Sequence, residues 1–329
     1  MKNGRPKIAI LGAGLTAAYL YRLLLRNGLQ ADIFGKDPGT VCGISPCAWG
    51  TSRGFADLVK DAGLDASTYA LSRPEYVLVD GLRIRADLMT IDKQRLIGDL
   101  LAGAEIKQSE FDAGSYERVI DASGVSRALL PPIDDDFILP CVQFRVRTNE
   151  ILENRINLGG IGYAWCFPLA KREYHIGCGS LMSNPANRLK DLGWIGGNGK
   201  QGEIVCGCKG KIRLASPHAS LPFVDHRQGC EVWGVGEAIG CVAPLAGDGI
   251  VPGMRSVRLL LTWWNDPKGY TRAVLQEFGW MKNERTVIDR LRRGERMGLG
   301  NAWTLKRNSR RMGMRVGLRQ ALMFVRGLA

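Results

Sequence analysis

The stretch Gly12-Ala13-Gly14-Leu15-Thr16-Ala17 joins an apolar segment, Lys7–Leu11, to an amphipathic one, Thr16–Asn27. The pattern predicts a buried strand, a helix that ends at Gly28 and a second strand at Ala31–Phe34, which together form a βαβ unit. The first glycine permits a tight turn, the second lets the backbone approach a pyrophosphate, and the alanine keeps helix and strand close. The phosphates of a bound dinucleotide would lie at the positive N-terminal end of this helix. The sequence thus predicts a dinucleotide site that includes Gly12, Gly14, Leu15, Thr16 and Ala17.

The end of the second predicted strand departs from the usual dinucleotide pattern. An acidic residue commonly stands there and binds the adenosine ribose. This chain has Gly35 at that position and Asp37 two residues later. We therefore expect ribose recognition to be altered or to come from the backbone. Lys36 has two equally weighted interpretations, which are a contact to a cofactor phosphate and an exposed surface lysine.

Two later glycine-rich parts of the chain extend the prediction from a dinucleotide to FAD. Arg118–Asp121 is predicted as a short apolar strand that ends in the small residues Ala122-Ser123-Gly124, as in a loop that passes beneath adenosine. Gly234–Gly240 contains an acid suited to the hydroxyls of a ribityl chain. Pro244–Ile250 begins a helix whose positive end suits the pyrimidine edge of a reduced flavin. The candidate cofactor residues in these segments are Ala122, Gly124, Gly236, Glu237, Gly247, Asp248, Gly249 and Ile250.

Aromatic residues alternate along one predicted strand in the middle of the chain. Alternate residues of a strand share a face, so Tyr163, Trp165 and Phe167 form one wall. Pro168 ends the strand because it cannot donate to a ladder. An aromatic wall beside a flavin suits a long hydrocarbon substrate, although the rings alone also fit an ordinary core strand. The candidate substrate residues are Tyr163, Trp165, Phe167, Pro168, Gly177 and Gly179.

Composition places the chain among globular proteins of about two domains. It has 329 residues, of which 45% are hydrophobic. No apolar run reaches the roughly 18 residues that cross a bilayer. The nine cysteines lack the spacing of a disulfide framework, which predicts a cytoplasmic protein. Cys206 and Cys208 are interpreted as two thiols in a strand or turn, and no metal site is predicted.

The predicted elements imply an α/β fold in which a Rossmann-type FAD-binding domain carries an inserted antiparallel β-sheet substrate domain. The glycine-rich segments lie far apart, so the FAD-binding domain is predicted to be discontinuous, at 1–72, 92–133 and 220–280. The substrate domain is predicted at 73–91 and 134–219. A basic C-terminal helical segment, 281–329, follows.

Together these motifs resemble the geranylgeranyl reductase family, FAD enzymes of the para-hydroxybenzoate hydroxylase-like fold. The resemblance runs from about Ile8 to Trp264, and its most specific element is the aromatic motif with its two glycines. It implies hydride transfer from reduced FAD to a C=C bond of a prenyl (geranylgeranyl-type) lipid. It also implies that Arg95 lies near the cofactor. Cys47 is the family-based candidate for proton donor, and a bound water is an equal candidate.

Four positions depart from the family pattern. Gly35 replaces the acid of the second strand, and Glu237 replaces the aspartate of the last flavin segment. Gly160 stands where a proline is frequent, and Ala48 where a glycine follows the family cysteine. FAD binding remains the expectation, with a prenyl-type substrate of open identity.

Two other functions were weighed. The first is a flavin monooxygenase of the same fold, but Ser123-Gly124 replaces the Asp-Gly pair that such enzymes usually carry. The second is a non-enzymatic adaptor that uses the basic C-terminal segment, which has thirteen Lys and Arg against three acids. A basic segment points to an anionic partner.

The last predicted helix has two equally weighted interpretations. Its apolar residues recur at helical spacing with arginines between them, as in a helix that lies in a membrane interface. A helix docked on the protein body has the same pattern. The apolar residues are Leu318, Ala321, Leu322, Val325 and Leu328. Expected partners are the inner membrane surface and an electron donor, NADPH or ferredoxin. Nucleic acid is not expected, because the segment has no recognition motif and few aromatics.

Overall fold

The computed structural model describes residues 7–35, 48–196, 202–227 and 229–328. Within these ranges the strands are β1 (Ile8–Leu11), β2 (Ala31–Phe34), β3 (Gly50–Thr51), β4 (Ala70–Ser72), β5 (Tyr76–Val79), β6 (Leu82–Arg85), β7 (Met89–Ile91), β8 (Ile106–Lys107), β9 (Arg118–Asp121), β10 (Ile138–Arg147), β11 (Arg155–Leu158), β12 (Gly162–Pro168), β13 (Glu173–Ser180), β14 (Glu203–Arg213), β15 (Val224–Arg227) and β16 (Cys230–Gly234). The helices are α1 (Leu15–Arg26), α2 (Phe55–Asp61), α3 (Lys93–Leu100), α4 (Pro185–Asp191), α5 (Ile250–Thr262), α6 (Pro267–Glu277), α7 (Gly279–Arg292), α8 (Leu299–Ser309) and α9 (Leu318–Leu328).

A six-stranded sheet contains the predicted βαβ unit. Its order is β15-β16-β9-β1-β2-β8, and all neighbours are parallel except β15 and β16. Ile10, Ile120 and Val232 are completely buried, as expected for short apolar strands that are covered on both faces. Helices α1 and α5 pack against each other. The predicted Rossmann-type arrangement is confirmed.

A seven-stranded sheet accounts for most of the remaining strands. Its order is β14-β10-β13-β12-β11-β5-β6, and its neighbours are antiparallel except for the parallel pair β5 and β11. Strand β12 carries the aromatic motif at the centre of this sheet and ends at Pro168, as predicted. A small sheet, β3-β7-β4, completes the β structure of the described residues.

The last two helices are docked on the β5–β6 hairpin. Ala321 and Val325 of α9 are 0% and 1% exposed, and they pack in one apolar cluster with Val77 and Ile84 of the hairpin. Leu318 is 41% exposed. The geometry is that of a docked helix, so most of the apolar side that was considered for a membrane interface is covered by the protein itself.

Two of the expectations from composition can be compared with the structure. Among the described residues, no helix combines the length and the apolar character that crossing a bilayer requires. Cys206 is disulfide-bonded, so the prediction that it is a thiol is wrong. Other described cysteines are free and buried, namely Cys141, Cys166, Cys178, Cys230 and Cys241.

Candidate functional site

The turn after β1 is built so that only glycine fits at its first position. Gly12 has φ +121°, and a Cβ atom there would overlap the carbonyl group of Ala122, the first residue after β9. Its N–H donates to the carbonyl oxygen of Phe34, at the end of β2, over 2.7 Å. The turn therefore lies where the carboxyl ends of β1, β2 and β9 meet, which is where α/β sheets bind ligands.

The N-terminus of α1 is accessible for an anion. Gly14 has no atom within 4 Å of the place where its Cβ would lie. The helix has no side-chain cap and no acid in its first turn. Ala17 is completely buried, and Thr16 packs on Gly236, where a Cβ would lie 2.9 Å from its hydroxyl oxygen. This arrangement leaves backbone N–H groups and the positive end of the helix facing open space, which suits a pyrophosphate.

The position of Gly35 explains why no ribose-binding acid stands there. A Cβ at this residue would lie 3.1 Å from the backbone nitrogen of Ala13. Ala13 belongs to the turn after β1, residues 12–14, which is called the phosphate turn below. Asp32, the acid of β2, is engaged by Lys107 at 2.7 Å and by the hydroxyl of Tyr116 at 2.7 Å. Recognition of a ribose through either position is therefore not supported. Lys36 lies outside the described residues.

Asp121 organises the loop that follows β9. It is completely buried, and its carboxylate accepts hydrogen bonds from the backbone of Ser123 (3.1 Å), Leu129 (2.8 Å) and Leu130 (3.2 Å). These bonds hold the Ala122–Gly124 segment against the phosphate turn. The conformation of the small-residue loop is thus set by the acid that precedes it.

Arg127 ties the same loop to two distant segments. Its side chain is 5% exposed. Its guanidinium donates to the carbonyl oxygens of Pro131 (2.6 Å), Pro222 (2.9 Å) and Ala238. Burial lowers the pKa of this arginine to about 10, and the nearby Arg213 contributes in the same direction. The residue is a structural cross-link between the loop after β9 and two segments that are distant in sequence.

Glu237 faces the cavity from the segment after β16. One carboxylate oxygen accepts the backbone N–H of Arg213 at 2.7 Å. The other lies 3.3 Å from the position that a Cβ of Gly124 would take. Burial raises the pKa of Glu237, whereas the Arg213 N–H and guanidinium and the Lys93 ammonium lower it. This carboxyl can accept hydrogen bonds from the hydroxyls of a bound polyol chain.

Asp248 caps the N-terminus of α5. Its Oδ1 accepts the backbone N–H of Ile250 at 2.9 Å, and its Oδ2 accepts the hydroxyl of Ser52 at 2.8 Å. Burial raises the pKa of Asp248, and the hydrogen bonds and the nearby Lys93 oppose that effect. Gly247, Gly249 and Ile250 line the cavity beside it. Sequence reasoning missed Ser52 and Lys93. Neither belongs to a recognisable motif, although Lys93 directly follows the Asp92 helix cap.

The prediction for Arg95 is corrected by its position. Its side chain is 56% exposed and reaches the Thr68 carbonyl at 3.4 Å and Asp99 at 4.0 Å. It does not line the cavity, whereas Lys93 and Ile97 of the same helix do. Helical spacing explains the difference, because residues two apart face different sides. Lys93 is therefore the cation that α3 presents to the cavity.

Tyr163, Trp165 and Phe167 line one wall of the cavity, as their alternation predicted. The Tyr163 and Trp165 rings meet edge to face with centroids 5.7 Å apart. The Tyr163 hydroxyl donates to the carbonyl oxygen of Ala246. This bond attaches the aromatic wall to the loop that leads into α5, so the two predicted motifs form one surface.

The other residues of the aromatic motif support the wall from behind. A Cβ at Gly177 would overlap the Trp165 indole and lie 2.8 Å from the Val142 carbonyl oxygen. A Cβ at Gly179 would lie 2.8 Å from Leu139. The Pro168 carbonyl accepts the Thr90 hydroxyl at 2.7 Å. These three residues do not line the cavity, so their role is packing.

One cavity of about 890 Å³ joins the phosphate turn to the aromatic wall. Its nucleotide side includes the turn after β1 and the loops after β9 and β16. Its other side is apolar and extends to the C-terminal helices. The apolar residues beyond the aromatic wall include Val79, Leu139, Ile156, Leu158, Ile288, Leu291, Leu305, Met312, Met314, Val316 and Phe324. Residues of the segment predicted as a separate basic tail thus form part of the wall.

The structure brings most of the predicted residues together. Gly12, Gly14, Leu15, Thr16, Ala122, Gly124, Glu237 and Gly247–Ile250 line the nucleotide side. Ala17 and Gly236 lie directly behind it. Cys47 lies outside the described residues. Within the described part of the chain, no cluster of His, Cys, Asp and Glu is arranged to hold a metal ion.

Comparisons with known proteins agree with this architecture. No family model matches the sequence. The chain is 25% identical to an uncharacterized protein of Methanocaldococcus jannaschii, with 73% of this chain and 78% of that protein covered. It is structurally similar to a geranylgeranyl bacteriochlorophyll reductase-like protein of Thermoplasma acidophilum, with a TM-score of 0.69, 16% identity and 87% of each chain covered.

Two further solved structures share the arrangement. A flavoprotein/dehydrogenase of Cytophaga hutchinsonii has a TM-score of 0.60 and 14% identity, with 98% of this chain and 92% of that chain covered. A peptidyl tryptophan dihydroxylase essential for tryptophylquinone cofactor biogenesis has a TM-score of 0.61 and 15% identity, with 97% and 79% covered. The resemblance to geranylgeranyl reductases is thereby confirmed for the fold, which is also that of a flavoprotein and a hydroxylase.

Proposed function

We propose that this protein is an FAD-dependent oxidoreductase that saturates C=C bonds of a prenyl lipid. The observation that carries the proposal is the single cavity, in which a glycine-built phosphate turn continues into an apolar chamber with an aromatic wall. A polar cofactor end and a long apolar ligand would then meet in one continuous space. Such a space suits transfer between a cofactor and a hydrocarbon.

The residues present fit FAD. The Gly12 backbone packs so closely on Ala122 that no side chain fits there, and the space beside Gly14 is open. Together they form a cradle that would hold a pyrophosphate at the N-terminus of α1. Glu237 offers a carboxyl to the ribityl hydroxyls. The N-terminal end of α5, where Asp248 accepts the Ile250 N–H, would face the pyrimidine edge of the ring system beside Gly249.

When bound and reduced, FAD supplies a hydride. The chain itself supplies orientation and the exclusion of water. The Tyr163 hydrogen bond to Ala246 fixes the aromatic wall against the loop before α5. Trp165 is 4% exposed, and its ring is held by close packing on Gly177. A prenyl chain against these rings would lie with one double bond near the cofactor, which is the positioning that such a transfer needs.

The first test is spectroscopic. The purified protein, incubated with FAD, is expected to show flavin absorption that bleaches with dithionite under anaerobic conditions. Adding a geranylgeranyl compound to the reduced protein should restore the oxidised spectrum. Mass spectrometry should then find a product heavier by two hydrogens for each bond reduced. A protein that binds no FAD, or whose reduced form is not reoxidised by any prenyl compound, would contradict the proposal.

A flavin monooxygenase is the second candidate. It is favoured by the structural likeness to a dihydroxylase, whose fold covers 97% of this chain. The two activities differ in their need for oxygen. If product forms only in the presence of O₂ and contains an added oxygen atom, the monooxygenase is correct. If product forms anaerobically and has gained only hydrogen, the reductase is correct.

Attachment to an anionic membrane surface is proposed as the way the enzyme reaches a lipid. Leu299 and Trp303 of α8 are 68% and 56% exposed, beside the exposed Arg296, Arg307 and Arg310. Apolar and basic groups on one surface suit a lipid interface. Co-sedimentation with anionic vesicles should fall in Trp303→Ser and persist in Trp263→Ser, which alters an exposed tryptophan elsewhere. Equal sedimentation of both variants would contradict this role.

NADPH or ferredoxin is proposed as electron donor.

A further inference from the structure

The apolar part of the cavity contains one buried acid. Glu284 of α7 is 1% exposed, yet it lines the cavity. The same cavity wall contains Leu245, Ile288 and Leu305, which are apolar. A buried carboxyl is expensive unless it is paired or protonated, so a carboxyl in such a place calls for an explanation.

Hydrogen bonds tie Glu284 to the loop that leads into α5. Its Oε2 accepts the N–H of Leu245 at 3.1 Å. The next residue, Ala246, accepts the hydroxyl of Tyr163. Glu284 and the aromatic wall therefore hold consecutive residues of one loop, and that loop continues directly to Asp248 at the N-terminus of α5. The acid thus lies where the apolar chamber meets the nucleotide side.

The surroundings of Glu284 favour its protonated form. Burial raises its pKa to about 7, and the Leu245 N–H, the Asn308 amide and the Arg311 guanidinium lower it less strongly. Arg311 is also bound to the Asn308 side chain at 2.8 Å. On α7 itself, the neighbouring Arg285 is engaged by Asp135 and Asp289. An apolar ligand would exclude water from the chamber and raise the pKa further.

The other titratable groups of the described cavity wall are less suited to give a proton to a hydrocarbon. Glu237 and Asp248 lie on the nucleotide side, where Lys93 acts on both. Lys211 is exposed to solvent. The Tyr163 hydroxyl donates its proton to a backbone carbonyl.

We propose that Glu284 is the proton donor of alkene reduction in this cavity, an inference that rests on the proposed function. As a hydride from reduced FAD forms a C–H bond at one alkene carbon, the O–H bond of the Glu284 carboxyl breaks. The π electrons form the second C–H bond with that proton. The alkene is reduced, the flavin is oxidised, and the remaining carboxylate regains a proton from water.

The Glu284→Gln variant separates this role from a structural one. The glutamine oxygen can still accept the Leu245 N–H, and the side chain keeps its volume, but it carries no acidic proton. Glu117→Gln is the matched control, because Glu117 is 67% exposed and pairs only on the surface with Lys7 among the described contacts. Both variants are expected to bind FAD, and both should show normal quenching of tryptophan fluorescence by a prenyl alcohol.

Two readouts test the proposal. Infrared difference spectra of wild type against Glu284→Gln should show a protonated carboxyl band that disappears as pH rises through about 7. In anaerobic single turnovers of dithionite-reduced protein, Glu284→Gln should react more slowly by a factor of about 10² to 10⁴, the usual contribution of a positioned acid. Glu117→Gln should match wild type.

The outcomes are distinct. A wild-type rate in Glu284→Gln, or no titrating carboxyl band, would overturn the role of Glu284 and leave the proposed function standing. If wild type itself reduces no prenyl compound, the proposed function fails and the donor role fails with it. A slow Glu284→Gln variant with intact FAD and ligand binding supports the proposal.

Discussion

The buried carboxyl of Glu284 should make the stability of the protein depend on pH in a defined direction. Its pKa is about 7 in the folded protein, against an ordinary value of 4.5. The native state therefore binds more protons than the unfolded chain between these two values. Stability from this group is fully present below pH 4.5 and is lost as pH rises to about 7. One pKa unit corresponds to about 1.4 kcal/mol, so the expected loss is about 3 kcal/mol.

Urea unfolding of wild type and Glu284→Gln, followed by tryptophan fluorescence with saturating FAD, measures this effect. The unfolding free energy of wild type minus that of the variant should fall by about 3 kcal/mol between pH of about 4 and about 8. Because the two proteins share every other titratable group, this difference cancels the contribution of those groups to the pH dependence. Glu117→Gln should show no such change. If the unfolding free energies of wild type and Glu284→Gln changed in parallel with pH, the pKa of Glu284 would not be raised by its burial.

Four other substitutions test particular contacts. Gly12→Ala should lower the unfolding free energy by roughly 2–5 kcal/mol, because its Cβ meets the loop after β9 at an unfavourable φ. Gly14→Ala should unfold normally without FAD and bind FAD weakly by equilibrium dialysis; a destabilised apoprotein would contradict this. Gly177→Ala should displace Trp165 and cost about 1–3 kcal/mol, with a changed tryptophan emission spectrum as the check. Arg127→Met should cost about 3 kcal/mol in urea unfolding, because it leaves buried carbonyls without donors; an unchanged midpoint would be contrary evidence.

The strands of the fold could be predicted because short apolar runs stand between glycines, prolines and charges. Ala31–Phe34 and Arg118–Asp121 have the predicted bounds. The phosphate turn could be predicted because its glycines are required by the local backbone conformation, as the positive φ of Gly12 shows. The side of a helix that faces a cavity depends on docking, and so the sequence did not reveal that Lys93 rather than Arg95 lines the cavity.

The chamber wall from the C-terminal helices could not be predicted, because it depends on contacts between residues far apart in sequence. The positive charge of this segment indicated an external anionic partner. In the structure, its apolar residues Met312, Val316 and Phe324 line the cavity. One local signal was present. Met281, Glu284 and Ile288 follow helical spacing, so an acid stood on an apolar helix face. Such an interruption is a usable sign of a functional group.

The docking of α8 and α9 has a consequence for synthesis of the chain. The nucleotide side of the cavity uses residues up to Ile250, whereas the chamber receives its last wall from Met312 to Phe324. During synthesis, the residues of the nucleotide side therefore emerge before the residues that complete the apolar wall. Until α9 reaches the β5–β6 hairpin, apolar residues such as Val79 and Leu158 have no cover. We therefore expect the nascent chain, before its last helices form, to expose apolar surface that favours aggregation.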